Sequence, residues 1–487
     1  MKKSLSEAGS HLMTGTLNIL LAELLFFPTG FITAVFLARK LGPEGYGLFA
    51  LASWLIIWLE WSSTSLFTNT TIKFVREASD WRPVGNTVIR LYLIFALGIS
   101  ALLWILASPL AHMFHEPVMA KYLKIFAIEI PIFSLARAHR NILVGRGYYK
   151  EQARINSSRL IARLALIILF VEMGLSVKGA IMGSIGASVV ELIICRLYIR
   201  PSLFSRSLFP LRHLWGFGVP LSLSAMSLRI FRLDLVALKA LGATAAQAGF
   251  YGAALNLSIP PTIVSISLSP PLLSTLSNLL GNGEELKAKE IGRTAMRSVF
   301  WLVPFMTMTA GAAPEIVWLI FGEKYLPASP ILVLLIFATL GLLMINLAIA
   351  ILTASGKPGW TFLLTGPLVP LALIGHLILI PWLGGVGAAA VTTSFACLGA
   401  LASVFAVYRI WRILPPIKTI LKSIFCAGIA LVLATLWPAS GTILVFKLLV
   451  IITIILLTFL VLGEFTGNEI AWARSLIRFR SEDRPHS

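Results

Sequence analysis

The stretch Phe36-Leu37-Ala38-Arg39-Lys40-Leu41-Gly42-Pro43-Glu44-Gly45-Tyr46-Gly47-Leu48-Phe49-Ala50 ends one apolar run and starts the next. A second version of it follows about 200 residues later, as Leu238-Lys239-Ala240-Leu241-Gly242 and then Gly249-Phe250-Tyr251-Gly252-Ala253-Ala254. Two further echoes keep the same order. Ala107-Ser108-Pro109-Leu110 with Phe114 matches Ala313-Pro314-Glu315-Ile316 with Phe321, and Gly179-Ala180 matches Gly387-Ala388. Gly and Ala are common, so each match alone is weak. Three in sequence, at an offset drifting only from about 200 to about 208, mark an internal duplication. An offset spanning an even number of apolar runs preserves orientation across a bilayer. The copies are therefore parallel repeats about an axis along the membrane normal, and two such bundles are what alternating access requires.

Working outward, runs of about 20 mostly apolar residues, each long enough to cross a bilayer, recur from 13–37 to 441–463, with 158–174, 328–353 and 417–437 among them, broken by Gly, Pro or charge clusters. They predict an all-α polytopic membrane protein of about fourteen transmembrane helices. A six-helix lobe spans 1–205, a second six-helix lobe spans 206–412, and two additional helices with a basic tail fill 413–487. No connecting segment exceeds about 20 residues, which leaves no room for a soluble catalytic domain. Composition agrees. Of the 487 residues 57% are hydrophobic and 13% charged, about half the charge a soluble chain uses to wet its surface. The net charge of +19 would point to nucleic acid in a soluble domain. Here the basic residues sit in short gaps between apolar runs, as in loops beside anionic headgroups, so no nucleic-acid partner is expected. Cys195, Cys397 and Cys426 lie inside apolar runs without metal or redox spacing.

The Lys/Arg bias predicts orientation. With both termini cytoplasmic, external loops hold only Arg39, Lys40, Lys121, Lys124, Lys178, Lys239 and Lys324. The other side takes most of the rest, including Lys73, Arg76, Arg137, Arg140, Arg154, Arg159, Arg163, Lys287, Arg293, Lys418 and the tail arginines. The expected location is the inner (cytoplasmic) membrane. The first run, behind Lys2 and Lys3, is too long for a signal-peptide core and reads as a retained helix.

The stretch 36–50 resembles the signature of the polysaccharide transporter (O-antigen type) flippases, whose superfamily also holds lipid II flippases and multidrug and toxic-compound exporters. Arg232-x-Asp234, Leu241-Gly242, Gly249-x-Tyr251-x-x-Ala254, Pro260-Pro261 and Pro270-Pro271 are similar to the same family. The likeness covers most of 10–410 and departs at Glu60-Trp61-Ser62-Ser63, where many relatives carry Asp-x-Gly. It implies a flippase of lipid-linked oligosaccharide, with membrane lipid, a polyprenyl-pyrophosphate sugar and polysaccharide assembly proteins as partners.

Charged groups at membrane depth need a partner or water. Arg229 and Arg232 are three residues apart and share a helix side, with Asp234 beside them. Two planar guanidiniums on one face suit a pyrophosphate; the bland reading is pairing with acids, or snorkelling. Glu23 and Glu60 are the natural counterparts, and Glu23 is the candidate for exchanging an Arg partner against a coupling H+ or Na+. Arg137, His139 and Arg140 cluster at an inner helix end, as a cytoplasmic entrance or simply a positive-inside anchor. Glu129, Glu191 and Lys447 receive no role. His112 and His115 share a helix-end face without a third ligand, so no metal is expected, and no other cofactor. No P-loop, H-E-x-x-H or G-x-S-x-G occurs, so an enzyme is not expected. The rival within the superfamily is a cation- or drug-exporting antiporter. A membrane polysaccharide polymerase or glycosyltransferase would need a large or metal-binding external loop.

Overall fold

The computed structural model describes residues 25–202, 209–210, 212, 214–215, 234–357 and 359–465. Among them the chain is helical, without strands. In order the helices are α1 Phe26–Glu77, α2 Arg82–Met113, α3 Pro117–Phe126, α4 Glu129–Gly145, α5 Tyr149–Phe170 and α6 Ser176–Tyr198. Then follow α7 Asp234–Ala240, α8 Ala245–Ser258, α9 Pro260–Gly281, α10 Glu285–Trp301, α11 Val303–Gly311 and α12 Ala313–Phe321. The last are α13 Ser329–Ala354, α14 Gly359–Thr365, α15 Leu368–Trp411, α16 Ile417–Leu436 and α17 Thr442–Val461.

Seven described helical stretches are long and apolar enough to cross a bilayer. Two of these, Tyr149–Tyr198 and Leu363–Trp411, run 50 and 49 residues. A straight helix of that length would reach about 75 Å, more than twice the bilayer's apolar thickness. Each is instead broken, at Gly174 (φ 87) and Gly384 (φ 56), and α5 folds back to pack along α6. α1 breaks the same way at Gly42 (φ 69), just before Pro43.

The duplication read from sequence is a duplication of geometry. Gly42 and Gly242 both take left-handed backbone, with φ of 69 and 92, a conformation that a Cβ disfavours. A Cβ on Gly179 would strike the carbonyl of Phe170, and one on Gly387 would overlap that of Leu379. Both glycines let a helix lie against the partner from which it has just turned. Hydrophobicity does not hold helices together in lipid, so close approach at small residues and internal hydrogen bonds must do so.

Contacts divide the described chain into two compact units, one within Met1–Asn256 and Thr365–Thr392, the other within Leu257–Leu364 and Thr393–Ser487. In the first, Phe67, Val88, Tyr92, Ile142, Leu143 and Cys195 form an apolar cluster beside a polar stripe on α1. The stripe tolerates membrane depth because its hydroxyls bond their own helix. Thr64, Thr68 and Thr71 donate to the carbonyls of Glu60, Thr64 and Phe67 at 2.9, 2.9 and 2.6 Å.

The second unit is built around α13, apolar on all sides, within a stretch whose most apolar window is 67% buried. It packs with Leu272, Leu276, Met296 and Trp411. α16 lies against α11, where a Cβ on Gly311 would stand 2.8 Å from Ala434 Cβ. Beyond α17, Glu464 accepts hydrogen bonds from Thr419 Oγ1 (2.6 Å), Arg297 Nε (2.8 Å) and Trp301 Nε1 (3.2 Å), with Lys422 Nζ at 3.2 Å from its other oxygen. Burial opposes the charge of this carboxyl, yet its hydrogen bonds prevail and hold it at about 2. At the opposite end of α17, Lys447 pairs with Glu315 and donates to Ala434 O.

The expected runs 328–353, 417–437 and 441–463 coincide with α13, α16 and α17 to within about two residues. The run expected at 158–174 differs, since α5 begins already at Tyr149. Arg159 and Arg163, which the charge bias counts with the cytoplasmic segment, thus stand ten or more residues inside the helix and not at its start. The charge of Arg159 is met by Glu191 and Glu129 on neighbouring helices, which a hydropathy reading of one segment does not register.

Candidate functional site

The first unit encloses a set of charged side chains carried by α1, α4, α5 and α6. On α6, Ser184, Ser188, Glu191 and Cys195 recur at helical spacing and are all buried. On α5, Arg159 and Arg163 are four apart and share a face. On α4, Arg137 and Arg140 are three apart, with Ser134 and Glu129 about one and two turns before Arg137. Glu60 projects from the stripe on α1 and is 4% exposed.

Glu191 is fully buried. Its Oε1 lies 2.8 Å from Arg140 Nε and its Oε2 lies 2.9 Å from Arg159 Nε. Neither contact is aligned as a hydrogen bond, so charge attraction is what each supplies. Arg140 also donates from Nη1 to Asn156 Oδ1 at 2.9 Å. Arg159 is shared: its Nη2 sits 3.7 Å from Glu129 Oε1, which Ser188 Oγ also donates to at 2.8 Å, and its guanidinium covers the ring of Phe133 at 4.7 Å. Glu60 feels Glu129, Arg159, Arg163 and Glu191 electrostatically, and Ser63 links its turn to Ser134 of α4 through a 3.1 Å hydroxyl contact.

Three carboxylates thus meet four guanidiniums, and the pairing is incomplete. Arg137 and Arg163 have no acid within ion-pair distance among the described residues, and the buried Nε of each has no hydrogen-bond partner there. Glu60 Oε1 and Glu129 Oε2 are likewise without a donor. Leaving charged groups under-satisfied at membrane depth costs several kcal/mol per ion. The physical expectation is that such groups meet a ligand or change partners.

Of the residues singled out from sequence, the structure brings Glu60, Arg137 and Arg140 into this set, with Arg140 buried and ion-paired. Asp234 stands in a second cluster. Its Oδ2 accepts from Tyr251 Oη at 3.0 Å, and its Oδ1 lies 3.4 Å from His376 Nε2. Glu23, Arg229 and Arg232 lie outside the described residues. Sequence reasoning left Arg159, Arg163, Glu129 and Glu191 without a role. The signal available was the number of acids and arginines inside apolar runs, each of which needs a partner. Among the described residues no group of three or more His, Cys, Asp or Glu could hold a metal ion.

Comparison with known proteins follows the fold. The chain aligns with the succinoglycan biosynthesis transport protein ExoT of Rhizobium meliloti (strain 1021), 25% identical over 323 residues. The alignment spans 63% of this chain and only 62% of that protein's length. A solved lipid II flippase, MurJ in an inward closed conformation, superposes with a TM-score of 0.74 at 17% identity, covering 96% of this chain and 100% of its own. An inward-facing multidrug resistance MATE family transporter of the MOP superfamily gives 0.64 at 15% identity, covering 80% and 94%. These likenesses establish a multi-pass transporter fold. The model for polysaccharide biosynthesis proteins matches residues 36–330, well over half of the chain, and the protein belongs to that family.

Proposed function

We propose that the protein is a flippase that carries a polyprenyl-pyrophosphate-linked oligosaccharide across the cytoplasmic membrane for surface polysaccharide assembly, without making or breaking bonds. The observation that carries this reading is the surplus of guanidinium in the first unit, above all the half-buried Arg137 and Arg163, whose enclosed Nε atoms have no hydrogen-bond partner and which have no acid partner among the described residues. A guanidinium keeps its charge at any working pH and presents a planar fork to phosphate oxygens. A desolvated anion held by such groups can leave water without paying its full dehydration cost, while the polyprenyl chain stays in lipid. Arg229, Arg232, Asp234 and Glu23 extend the same assignment from sequence. The two sequence repeats, 1–205 and 206–412, are the bodies that alternate, both termini are cytoplasmic, and H+ or Na+ is the coupling ion. A cation exporter would need a surplus of acid in its cavity, the reverse of this set.

The test uses purified protein in vesicles with a fluorescent polyprenyl-pyrophosphate monosaccharide on one leaflet. Arg163→Ala and Arg137→Ala, at normal abundance, are expected to slow its translocation at least about tenfold, the loss of roughly one charged hydrogen bond. Unchanged rates in both would sink the reading.

A further inference from the structure

Two helix ends share one backbone and differ in what they carry. α4 is closed by Gly147 (φ 82), whose N–H donates to Val144 O at 2.9 Å while that of Tyr148 donates to Leu143 O at 2.9 Å. α13 is closed in the same way by Gly356 (φ 72), with Gly356 and Lys357 donating to Thr353 O and Leu352 O at 3.0 and 3.1 Å. Ile142-Leu143 and Ile351-Leu352 lead into the two turns. The residue before the glycine is Arg146 in one and Ser355 in the other, so the turn itself asks for no arginine. Arg146 is nevertheless held in place. Its guanidinium lies 5.3 Å from the ring centre of Trp81 and 4.9 Å from that of Tyr148. Trp81 stands just before α2 and rests on it, since a Cβ on Gly85 would come within 3.0 Å of its indole. Stacking occupies the faces of a guanidinium and leaves its N–H edge free. Among the described residues that edge meets neither an acid nor a hydrogen-bond acceptor. Arg76, in the last turn of α1, places Nη1 3.4 Å from the point that a Gly147 Cβ would occupy, and it too has no acid within ion-pair distance among the described residues. Two guanidiniums thus converge on one turn of the first unit. The charge bias assigns this side to the cytoplasm, and Trp and Tyr favour headgroup depth. The turn between α9 and α10, Asn282-Gly283-Glu284, brings no aromatic ring to the other copy.

We propose that this turn is a binding site for the phosphate of a membrane lipid, separate from the charged set inside the first unit. The two rings hold Arg146 in one orientation, so less side-chain freedom is lost on binding. Its free edge offers parallel N–H donors to two phosphate oxygens, and Arg76 adds a second charge. An anionic phospholipid carries such a phosphate, and so, on the flippase reading above, does the lipid-linked sugar. In a chain whose three native cysteines are replaced by Ser, a donor dye is placed on Ser79→Cys, an exposed position just before Trp81. The protein is reconstituted in phosphatidylcholine nanodiscs containing a trace of acceptor-labelled phosphatidylglycerol. Energy transfer should exceed that to phosphatidylcholine bearing the same acceptor. Arg146→Gln should raise the mole fraction for half-maximal transfer about tenfold, the loss of a charge-assisted hydrogen bond. Arg146→Lys keeps the charge without the planar fork and should lose nearly as much. Tyr148→Leu, which removes one ring, should lose about threefold. Lys150→Gln, an exposed charge four residues on, should change the value less than about twofold. Arg146 and Tyr148 are exposed, so their variants are expected to fold, and Tyr148→Leu decides where Arg146→Gln does not accumulate. Equal transfer to the two phospholipids overturns the site. So does parental binding by Arg146→Lys, or a loss in Lys150→Gln as large as in Arg146→Gln, which marks a diffuse basic belt. Unlabelled polyprenyl-pyrophosphate monosaccharide is then added as competitor. Displacement at a lower mole fraction than unlabelled phosphatidylglycerol requires makes the lipid-linked sugar the natural occupant, and displacement no better than that makes it the bulk phospholipid. Either result upholds phosphate recognition, and failure of translocation in the vesicle assay would sink the flippase reading while leaving this site standing.

Discussion

The two units place their charges differently, although one duplicated pattern underlies the chain. In the first unit Glu60, Glu129, Glu191, Arg140 and Arg159 are packed among membrane helices. In the second, the core around Leu276, Met296 and Leu347 is apolar, and its buried ion pairs sit near the ends of α17, at Lys447–Glu315 and around Glu464. A buried ion pair seldom adds stability over an apolar pair of the same volume. Charge confined to helix ends fits a scaffold, whereas charge retained in the middle of a bundle calls for a use. The comparison teaches that the first unit keeps charge among its packed helices where the second keeps it near helix ends.

The sharpest way to break the comparison is Glu191→Ala, which strips Arg140 and Arg159 of their shared acid. It should cost about 3–5 kcal/mol, seen as a lower thermal midpoint of the detergent-solubilised protein, and abolish translocation. Leu347→Ala, in the apolar core of the second unit, should cost about 2–5 kcal/mol through its cavity while leaving the substrate affinity of the surviving protein unchanged. Replacing Lys447 by Met together with Glu315 by Leu should leave stability within about 1 kcal/mol and transport intact, whereas Arg140→Met with Glu191→Leu should fold and not transport. If both double variants transport equally, the two units are not functionally distinct. The smallest effect is expected at Glu464. Its carboxyl is held at about 2 against an ordinary 4.5, so the stability it supplies is complete above about 4.5 and is lost as pH falls towards 2. Glu464→Gln should therefore melt below the parent at pH 7, with the difference closing between pH 4.5 and 2.

Much of this architecture was legible in the residues. Leu41-Gly42 with Leu241-Gly242, and Gly179 with Gly387, announced the duplication because a left-handed turn and a backbone-to-backbone contact both demand glycine. The long apolar helices α13, α16 and α17 could be bounded closely because only scattered polar residues, such as Asn346, Lys422 and Lys447, interrupt them. Arg159, Arg163, Glu129 and Glu191 could not be read so directly. Their meaning is pairwise: an arginine near the start of an apolar run looks like a loop anchor until the acid on another helix is known. Glu60 stands out in its apolar run, but its neighbours come from α4, α5 and α6, far away in sequence.

Shared charges also constrain how the protein is made. α5 carries Arg154, Arg159 and Arg163, and α6 carries Glu191, so neither would partition into lipid comfortably as it leaves the translocon alone. Each central Arg or Glu alone costs about 2.5–3.5 kcal/mol on insertion. The hairpin that closes at Gly174 brings Arg159 against Glu191, so α5 is expected to wait at the insertion channel until α6 has been synthesised. Biogenesis of the first unit is then a joint event, and a ribosome stalled between the two helices would leave a nascent chain that extracts readily from the bilayer.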